Sequence, residues 1–402
     1  MLDLARRTFR KYENEGVSET LAAGWEIVFR KKLLKQHISP KIIRRSPYTT
    51  LHQSELVDTY STRWMNDLEE NIKVNIPPKT WVSPSKTFSD VEQYTIDSSA
   101  ISEIDDVTLL GPVALGIADE QLIGDTIAPP SLLDNRLEVA VSQIIEAHGF
   151  KWTYDTILSD DEIHSRLPNL GTVCPLIPLW SNYYHWIVEC ILKLRGVEYY
   201  QETTGHVPTI VIPPDIPSWA KETLELMGVN PTDCIEFEGR GYQVDKLIVP
   251  TYPEPTPSEY RWLRKKAISA VDLKNKGGER IYISRRNATR RRIINESTVI
   301  ETLNELGFSA YVLEDLSVSD QIQLFSDAEI IVGPHGAGFT NMLFSNDPII
   351  LEIFGDRIKT TFYRLAKIAG HEYHYLSGKS NGIDIQVEPD QLKKVLVDLI
   401  GV

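Results

Sequence analysis

The sequence predicts an α/β protein with two Rossmann-like lobes and a helical extension at its N-terminus. A length of 402 residues is too great for one ordinary hydrophobic core, so two domains are expected. In the C-terminal half, short apolar runs alternate with segments of helical periodicity, which is typical of βαβ units around a parallel sheet. Between the halves lies the proline-rich segment TYPEPTPSEY, which indicates a hinge or linker.

The apolar runs and helical periodicities predict the following elements. Strands are expected at 107–116, 207–214, 245–250, 280–285, 309–314, 329–333, 348–355 and, as the last strand, 372–378. Helices are expected at 218–228, 295–307, 317–328, 338–345, 360–370 and 389–402. Asn295 is the expected N-cap of the helix that Gly307 ends.

These elements divide the chain into four predicted segments. Residues 1–45 are a basic amphipathic helical extension, and residues 46–250 an N-terminal α/β lobe. Residues 251–388 are a C-terminal α/β lobe, and residues 389–402 a closing helix.

Composition and charge exclude several classes of protein. A net charge of −14 argues against general nucleic-acid binding. No apolar run reaches the length of about 18 residues that a membrane helix needs, and no signal peptide is recognisable. Three widely spaced cysteines without a C-x-x-C pair support neither a disulfide framework nor a zinc site. A cytoplasmic protein is expected.

The first 45 residues differ in charge from the rest of the chain. They contain eleven basic and five acidic residues, with Leu21, Trp25, Val28 and Phe29 at helical spacing. Such a helix can lie on an anionic membrane surface, at the cytoplasmic face, or can dock on the acidic body of the protein. Both alternatives stay open on the sequence alone.

An arginine cluster directly follows the predicted strand at 280–285. The segment SRRNATRRRIINE contains Arg285, Arg286, Arg290, Arg291 and Arg292. Five guanidinium groups so close together need either open solvent or a multivalent anion, and their planar forks match phosphate oxygens. Because ligands of open α/β sheets bind beyond the carboxyl ends of strands, the anion-binding interpretation is favoured over a solvated loop.

The segment IIVGPHGAGFTNMLF places a histidine in a glycine-rich turn between a strand and a helix. Gly336, Ala337 and Gly338 allow close backbone approach, and the helix start offers free N–H groups to an anion. His335 would donate to a phosphate or hold a sugar hydroxyl; the alternative is a tight turn with a capping histidine. The spacing matches neither the dinucleotide fingerprint nor a P-loop.

Two further groups carry candidate chemistry. Glu352 ends an apolar strand, where its carboxylate would accept from ribose hydroxyls or brace an arginine. In WSNYYHWIVECILKLRG, His185 and Glu189 are four residues apart, so on a helix they share a face and the carboxylate can orient the imidazole. The pair could also bind a metal, but the sequence offers no evident third ligand. The alternative to both roles is a histidine that is hydrogen-bonded in a core of aromatic residues.

Taken together and in this order, the motifs resemble those of glycosyltransferase family 61. The similarity covers NYYHWIVE, the arginine segment with its N-E pair, the H-G-A-G segment and ILEIFG, within about residues 170–356. The resemblance implies a GT-B-type enzyme that uses a nucleotide sugar, inverts the anomeric centre and needs no metal or cofactor. The missing D-x-D motif agrees with this, and the missing anchor makes the chain similar to a prokaryotic-type member.

The resemblance also implies roles for the lobes and for individual residues. The lobe 46–250 would lie on the acceptor side, and the lobe 251–388 would bind the nucleotide sugar. His185, oriented by Glu189, is the expected general base. The expected donor-binding residues are Arg285, Arg286, Arg290, Asn295, Glu296, His335, Gly336, Ala337, Gly338, Asn341 and Glu352. The expected acceptor-side residues are Asn182, Tyr183, Tyr184 and Trp186, with the three aromatic side chains as a stacking platform for a sugar.

The expected partners are a nucleotide sugar, most simply a UDP-sugar, and a glycan or lipid-linked acceptor. The alternatives are a nucleotide-sugar epimerase or phosphotransferase on a similar scaffold, or a non-catalytic module that binds a nucleotide sugar. An epimerase needs no acceptor, and a binding module releases no nucleotide.

Overall fold

The computed structural model of the chain describes most residues beyond position 98. The described residues are 34–43, 49–51, 55–56, 60–64, 79–80, 99–119, 121–129, 132–149, 153, 167–253, 256–273 and 279–401. Most of the predicted extension 1–45, including its apolar group, therefore lies outside the described residues.

The elements confirm an α/β protein. The strands are β1 (Thr49–Leu51), β2 (Ser61–Trp64), β3 (Lys79–Thr80), β4 (Ala100–Leu110), β5 (Leu115–Ala118), β6 (Gln121–Ile123), β7 (Thr172–Pro175), β8 (Thr209–Ile212), β9 (Ile235–Glu236), β10 (Gly241–Pro250), β11 (Glu279–Ile283), β12 (Phe308–Tyr311), β13 (Ala328–Pro334), β14 (Ile349–Phe354), β15 (Glu372–Ser377), β16 (Lys379–Asn381) and β17 (Asp384–Gln386).

The helices are α1 (Ser39–Ile43), α2 (Leu133–His148), α3 (Tyr183–His185), α4 (Lys193–Thr204), α5 (Ser218–Leu226), α6 (Pro257–Ala270), α7 (Glu296–Asn304), α8 (Val318–Ser326), α9 (Thr361–Ala369) and α10 (Pro389–Ile400). Helix α3 continues as the π-helix Trp186–Ile191, and Leu34–Ile38 is also π-helical. A 3-10 helix spans Ala337–Phe344, and 3-10 turns span Gly111–Val113, Gly124–Thr126, Pro231–Asp233 and Leu313–Asp315.

The described residues form two compact units. The first draws on the ranges Met1–Asp58, Ile104–Thr172 and Phe237–Leu247, and the second on Thr59–Glu103, Val173–Glu236 and Ile248–Val402. The predicted lobes 46–250 and 251–388 group the chain differently, since residues 173–236 belong to the same unit as the C-terminal half. The predicted lobe boundaries and the GT-B arrangement stay predictions.

The first unit is built on antiparallel pairs. Strand β5 pairs with β6 and with the second half of β4, and β1 adds to β6 in parallel. Helix α2 buries Leu137, Ile144 and other apolar side chains of one face. A side chain at Gly111, where φ is +63°, would meet Ile144 Cγ1 at 2.5 Å, so this turn requires glycine.

The second unit contains the predicted parallel sheet. Its order is β12-β11-β13-β14-β15-β3, and every neighbouring pair is parallel. Successive residues of its strands face opposite sides: Ile281 and Ile283 join one apolar cluster, and Tyr282 joins another. Because both faces are covered, the strands are continuous apolar runs, which is why the sequence identified them.

Helices cover the two faces of this sheet. On one face, α7 and α10 supply Val299, Leu303 and Leu396. On the other, one apolar cluster extends from Ile187 in the π-helix to Phe339 and Phe362. The two histidine motifs of the sequence are therefore attached to a common hydrophobic core.

The last part of the unit corrects one expectation. Strand β15 is not the last strand, because the antiparallel hairpin of β16 and β17 follows it. The polar sequence of this hairpin lacks the apolar run that marks a buried strand. Within the described residues, no helix is both long and apolar enough to cross a bilayer.

Candidate active site

The site lies at the carboxyl edge of the parallel sheet, where the strand order reverses. From β11 the chain adds β12 on one side and then returns to add β13 on the other. The loops that follow β11 and β13 therefore meet at a topological switch point, the position at which open α/β sheets bind ligands. Arg285 stands at the start of the first loop, and His335 and Gly336 at the start of the second.

The two loops touch at Gly336. A Cβ atom there would clash with Arg285 Nη1 and lie 2.8 Å from Arg285 Cζ. The backbone of Gly336 is extended, with φ at −179°, so a side chain at this position would be opposed by Arg285 and not by the backbone conformation. The sequence predicted close approach of a substrate phosphate here; in the structure the guanidinium of Arg285 occupies that space.

The other glycines of this segment serve packing. A Cβ at Gly338 would lie 2.8 Å from Leu313 Cδ1, and one at Gly333 3.0 Å from the carbonyl oxygen of Ile283. Both glycines thus let strand β13 and the 3-10 helix lie directly against the end of β11. Ala337, predicted beside them as a donor contact, is the first residue of that 3-10 helix.

His335 is held by a buried carboxylate. Its Nδ1 bonds to Oε1 of Glu352, and the hydroxyl of Tyr373 donates to Oε2 of the same side chain. Glu352 is fully buried, and burial and the charge of Glu352 raise the pKa of Tyr373, so Tyr373 keeps its proton and donates. Both oxygens of Glu352 are thus bonded inside the protein, and its predicted contact with the donor stays a prediction.

The imidazole of His335 has one nitrogen left for a ligand. Among the described residues, Nε2 has no hydrogen-bond partner. The ring stacks on Phe354 at 5.3 Å between centroids and meets Phe362 at the same distance. These contacts fix the ring plane at the sheet edge.

His185 lies in the same compact unit as His335. Its Nδ1 is 2.7 Å from Oε1 of Glu189, which confirms the predicted pair. The side chain of His185 is 19% exposed, against 4% for Glu189, so the carboxylate stands behind a solvent-accessible imidazole. Phe362, which contacts His335, also contacts Tyr184 at 5.7 Å, and Tyr184 contacts His185 at 5.1 Å.

The turn that carries His185 is capped and then widened. The side chain of Asn182 accepts from the backbone N–H of His185, so this predicted acceptor-side residue is an N-cap. After His185 the chain is π-helical as far as Ile191, an irregularity that is frequent at functional sites.

The predicted aromatic platform is only partly available. Trp186 is buried in the core, where its Nε1 donates to Thr223 Oγ1 at 2.6 Å, so its ring cannot stack on a sugar. Trp180, which the sequence analysis did not single out, is exposed and lies 4.9 Å from the His185 ring. Its position just before the Asn182 cap is the signal that would have identified it.

Tyr183 and Asn341 form an internal link instead of substrate contacts. The Tyr183 hydroxyl donates to Asn341 Oδ1 at 2.7 Å, and Asn341 Nδ2 donates to Gln321 Oε1 at 2.7 Å. Asn341 is fully buried, and burial and the charge of Glu222 raise the pKa of Tyr183. This link ties the His185 turn to the 3-10 helix that follows His335.

The arginine segment separates into different roles. Arg292 binds Asp384 through Nη2 at 2.6 Å and Nε at 3.1 Å, which anchors the β16–β17 hairpin. Arg286 is exposed, with its Nη2 3.9 Å from Oδ2 of Asp315. Arg290 is also exposed, and its carbonyl oxygen accepts a hydrogen bond from Arg285 Nη2 at 3.3 Å. The two exposed arginines were predicted as donor contacts, which stays a prediction.

Arg285 and Arg291 have buried donors without partners. Their Nε atoms are inaccessible and lack a hydrogen-bond acceptor among the described residues. Burial, followed by the charges of Arg285 and Arg290, lowers the pKa of Arg291, while Glu352 raises it. Arg291 also has a left-handed backbone, with φ at +59°, a strained conformation for a side-chain-bearing residue.

Two cations that the sequence analysis missed join this cluster. Burial, followed by the charges of Arg357, Arg291 and Arg290, lowers the pKa of Lys359. Arg357 and Lys359 occupy the loop after β14, the strand beside β13. Their position at a strand's carboxyl end, in FGDRIK, was the available signal. The edge thus concentrates positive charge from three loops.

Asn295 and Glu296 hold the arginine loop in place. Asn295 exchanges two hydrogen bonds with the backbone of Val387, at 2.7 and 3.1 Å, and its side chain caps no helix N–H. Glu296 Oε1 accepts from the hydroxyls of Tyr282 and Ser284, both at 2.9 Å. Both residues thus position the loop, and their predicted contact with the donor stays a prediction.

Within the described part of the chain, no group of three or more acidic, histidine or cysteine side chains is arranged to hold a metal ion.

Part of the chain that includes this site matches a known protein family. Residues 183–350 match the family profile Glycosyltransferase 61, a range that includes His185, the arginine segment and His335. Residues 183–350 are a glycosyltransferase 61 domain. The resemblance drawn from the motifs is thereby confirmed for this part of the chain.

Individual relatives match over a shorter stretch of the chain. EGF domain-specific O-linked N-acetylglucosamine transferase from Gallus gallus is 27% identical over 103 residues, which are 24% of this chain and 19% of the relative. The protein of that name from Bos taurus is 29% identical over 105 residues, 24% and 20% of the two chains. The chain thus spans about a fifth of the length of these relatives. Because they are vertebrate proteins, the expected prokaryotic-type membership is not confirmed.

Proposed function

We propose that this chain is an inverting, metal-independent glycosyltransferase that transfers a sugar from a nucleotide sugar to an acceptor hydroxyl. One observation carries the proposal: Arg285 and the His335–Gly336 turn meet at the switch point of the parallel sheet, inside the glycosyltransferase 61 domain. The proposed architecture is of the GT-B type, with a glycan or lipid-linked acceptor.

The donor diphosphate would bind at the cationic edge. Arg285 and Arg291 place partly buried guanidinium groups there, and Arg357 and Lys359 add charge from the next loop. Forked donors match phosphate oxygens, and fixed positive charge stabilises the negative charge that develops on the leaving nucleoside diphosphate. A low-dielectric, cation-rich edge supplies this stabilisation without a metal ion.

The relatives suggest which donor to test first. Their printed name describes the transfer of N-acetylglucosamine. Since only about a fifth of their length is matched, nucleotide-activated N-acetylglucosamine, in its UDP form, is the first candidate and not the conclusion.

His185 would act as the general base. With the Nδ1 proton donated to Glu189, Nε2 carries the lone pair. The acceptor oxygen attacks the anomeric carbon, its proton passes to Nε2, and the bond to the diphosphate breaks with its electron pair on the leaving oxygen. Attack from the face opposite the leaving group inverts the anomeric centre.

His335 would bind the donor. Its Nδ1 is committed to Glu352, so Nε2 is the nitrogen that meets a phosphate or sugar oxygen. The buried carboxylate and the two phenylalanine rings hold this nitrogen in one direction, which lowers the ordering cost of binding.

The test is a product analysis with the full chain, UDP-N-acetylglucosamine and an excess of EDTA. Wild type should release free nucleotide and free or transferred sugar. His185→Gln should keep donor affinity and lower turnover about 10²–10⁴-fold, the usual contribution of a general base. His206→Gln, at an exposed histidine, is the matched control and should be unchanged.

Other products would overturn the assignment. An isomerised nucleotide sugar without nucleotide release indicates an epimerase, and tight binding without turnover of any nucleotide sugar indicates a binding module. Activity that EDTA abolishes and Mn²⁺ or Mg²⁺ restores contradicts metal independence. Wild-type turnover by His185→Gln removes the base assignment.

A further inference from the structure

A pocket of about 600 Å³ opens at the other edge of the parallel sheet. Its walls are one face of helix α6, the Asn346–Asp347 loop and the Gly370–His371 turn. The last two precede β14 and β15, so the pocket lies beside the amino ends of strands whose carboxyl ends carry the candidate active site. The volume is that of a small-molecule site.

Positive charge dominates this pocket on a chain of net charge −14. Helix α6 contributes Arg261, Arg264 and Lys265, which its periodicity places on one face, and Asp347 is the acidic side chain of the lining. Within the described residues, neither Lys265 nor the Arg264 guanidinium has a carboxylate within ion-pair distance. The formal charges of the three cations and one carboxylate in the lining sum to +2, which matches a phosphate dianion.

The pocket is preformed by hydrogen bonds at its base. Arg264 Nε donates to the carbonyl oxygen of Ser345 at 3.0 Å, and the Tyr260 hydroxyl donates to the same oxygen at 2.9 Å. His371 Nε2 donates to the carbonyl oxygen of Met342 at 3.0 Å. Arg264 is thus fixed by one nitrogen, and its terminal nitrogens remain for a ligand.

The rest of the lining suits a ring with hydroxyl groups. Asp347 accepts hydrogen bonds, Asn346 both donates and accepts them, and Tyr260 and Ile268 offer apolar surface. His371 is nine-tenths buried or more, and its Nδ1 lacks a partner among the described residues. A bare phosphate would fill only part of this volume.

We propose that the pocket beside α6 is a second binding site, which takes a small sugar phosphate. The phosphate would meet Arg264 and Lys265, and the sugar hydroxyls would meet the Asn346–Asp347 loop. The site is separate from the candidate active site and does not depend on the proposed transfer reaction. The 3-10 helix that begins beside Gly336 at the active site ends at Phe344, next to the base of this pocket.

Titration calorimetry with glucose 6-phosphate as the probe tests the proposal on the full chain. Binding should be weakened about tenfold or more by Lys265→Glu and kept by Lys265→Arg, because a charged hydrogen bond is lost only in the first. Lys394→Glu, at an exposed lysine of α10, is the matched control and should bind like wild type. Arg285→Ala should also bind like wild type, because it alters only the other edge.

Three results with glucose 6-phosphate would overturn the proposal. The first is the absence of binding. The second is equal binding by wild type and Lys265→Glu. The third is a loss of binding in Arg285→Ala with none in Lys265→Glu, which places the phosphate at the candidate active site. Glucose without phosphate should bind at least about tenfold more weakly, and equal affinity would contradict the phosphate assignment.

Discussion

At the scale of single residues, Glu352 is the side chain that holds His335 in place at the carboxyl edge of the parallel sheet. It is fully buried between His335 and Tyr373, and an ionised carboxylate can stay buried only when its oxygens are hydrogen-bonded. The sequence identified this carboxylate as one that needs partners. It did not identify Tyr373, because the partner comes from the neighbouring strand, 21 positions along the chain.

Tyr373→Phe tests this network. The substitution removes one hydrogen bond to a buried charge, so the free energy of unfolding should fall by about 1.5–3 kcal/mol in urea titrations. Tyr242→Phe is the control, since its hydroxyl has no hydrogen-bond partner among the described residues, and should change stability by less than about 0.5 kcal/mol. Equal changes in unfolding free energy for the two substitutions would show that the hydrogen bond from Tyr373 to Glu352 does not stabilise the fold.

His371 predicts a pH dependence of stability. Burial lowers its pKa to about 4, and the charge of Arg264 also lowers it. The bond to the Met342 carbonyl and the charge of Asp347 raise it by less. The unfolded chain therefore takes up this proton first, at a pKa of about 6.5. The stabilisation is present above pH 6.5 and is lost as the pH falls towards 4, by about 3 kcal/mol.

The measurement compares unfolding free energies of wild type and His371→Gln between pH 7 and pH 4. The wild-type curve should fall more steeply by roughly that amount, and His206→Gln, at an exposed site, should parallel wild type. Parallel curves for wild type and His371→Gln would contradict the buried neutral state of His371.

At the scale of elements, the 3-10 helix after His335 connects binding and packing. Gly336 and Gly338 lie two residues apart at its start, but a side chain at each would meet different neighbours. At Gly336 the obstacle is the end of the flexible Arg285 side chain, and at Gly338 it is Leu313 and Ile283 in the core.

Alanine substitutions at Gly336 and Gly338 should therefore have different effects. Gly336→Ala should displace the Arg285 guanidinium and weaken nucleotide binding, while unfolding free energy changes by less than about 1 kcal/mol. Gly338→Ala should overpack the core and cost about 1–3 kcal/mol of stability. Calorimetric affinity and urea unfolding of both variants distinguish the effects, and a reversed pattern would refute the assigned roles.

The predictability of the elements follows from their burial. Strands β11, β13 and β14 are apolar on both faces, so continuous apolar runs identified them, and the carboxyl-end rule then located Arg285 and His335. Three features were not predictable from local pattern: the π-helix after His185, the polar hairpin β16–β17, and the core position of Trp186. The hairpin has no apolar run that would mark its strands, and the position of Trp186 depends on a contact with Thr223, 37 positions along the chain.

At the scale of the whole molecule, the first 45 residues differ most in charge, because they are basic on a chain of net charge −14. We propose that they bring the enzyme to an anionic membrane surface, at the cytoplasmic face, where a lipid-linked acceptor would be met. Each basic residue near such a surface contributes about 1 kcal/mol, and salt screens the attraction.

Vesicle sedimentation of the full chain tests this at low salt. Wild type should sediment with phosphatidylserine vesicles and not with phosphatidylcholine vesicles, and Lys31→Glu with Lys32→Glu should lower the bound fraction. Absence of binding to phosphatidylserine vesicles at low salt would make docking of this segment on the protein body the correct alternative.

The central claim is that the loops after β11 and β13 bind the diphosphate of a nucleotide sugar, and calorimetric binding of UDP tests it most directly. Arg285→Ala should weaken UDP binding by about 2–4 kcal/mol, because it removes a partly buried guanidinium that contacts the diphosphate. Lys394→Ala, which removes one positive charge at an exposed side chain of α10, is the control and should change affinity less than about threefold. Equal affinities of wild type and Arg285→Ala would contradict diphosphate binding by these loops and return the arginine segment to a solvated loop.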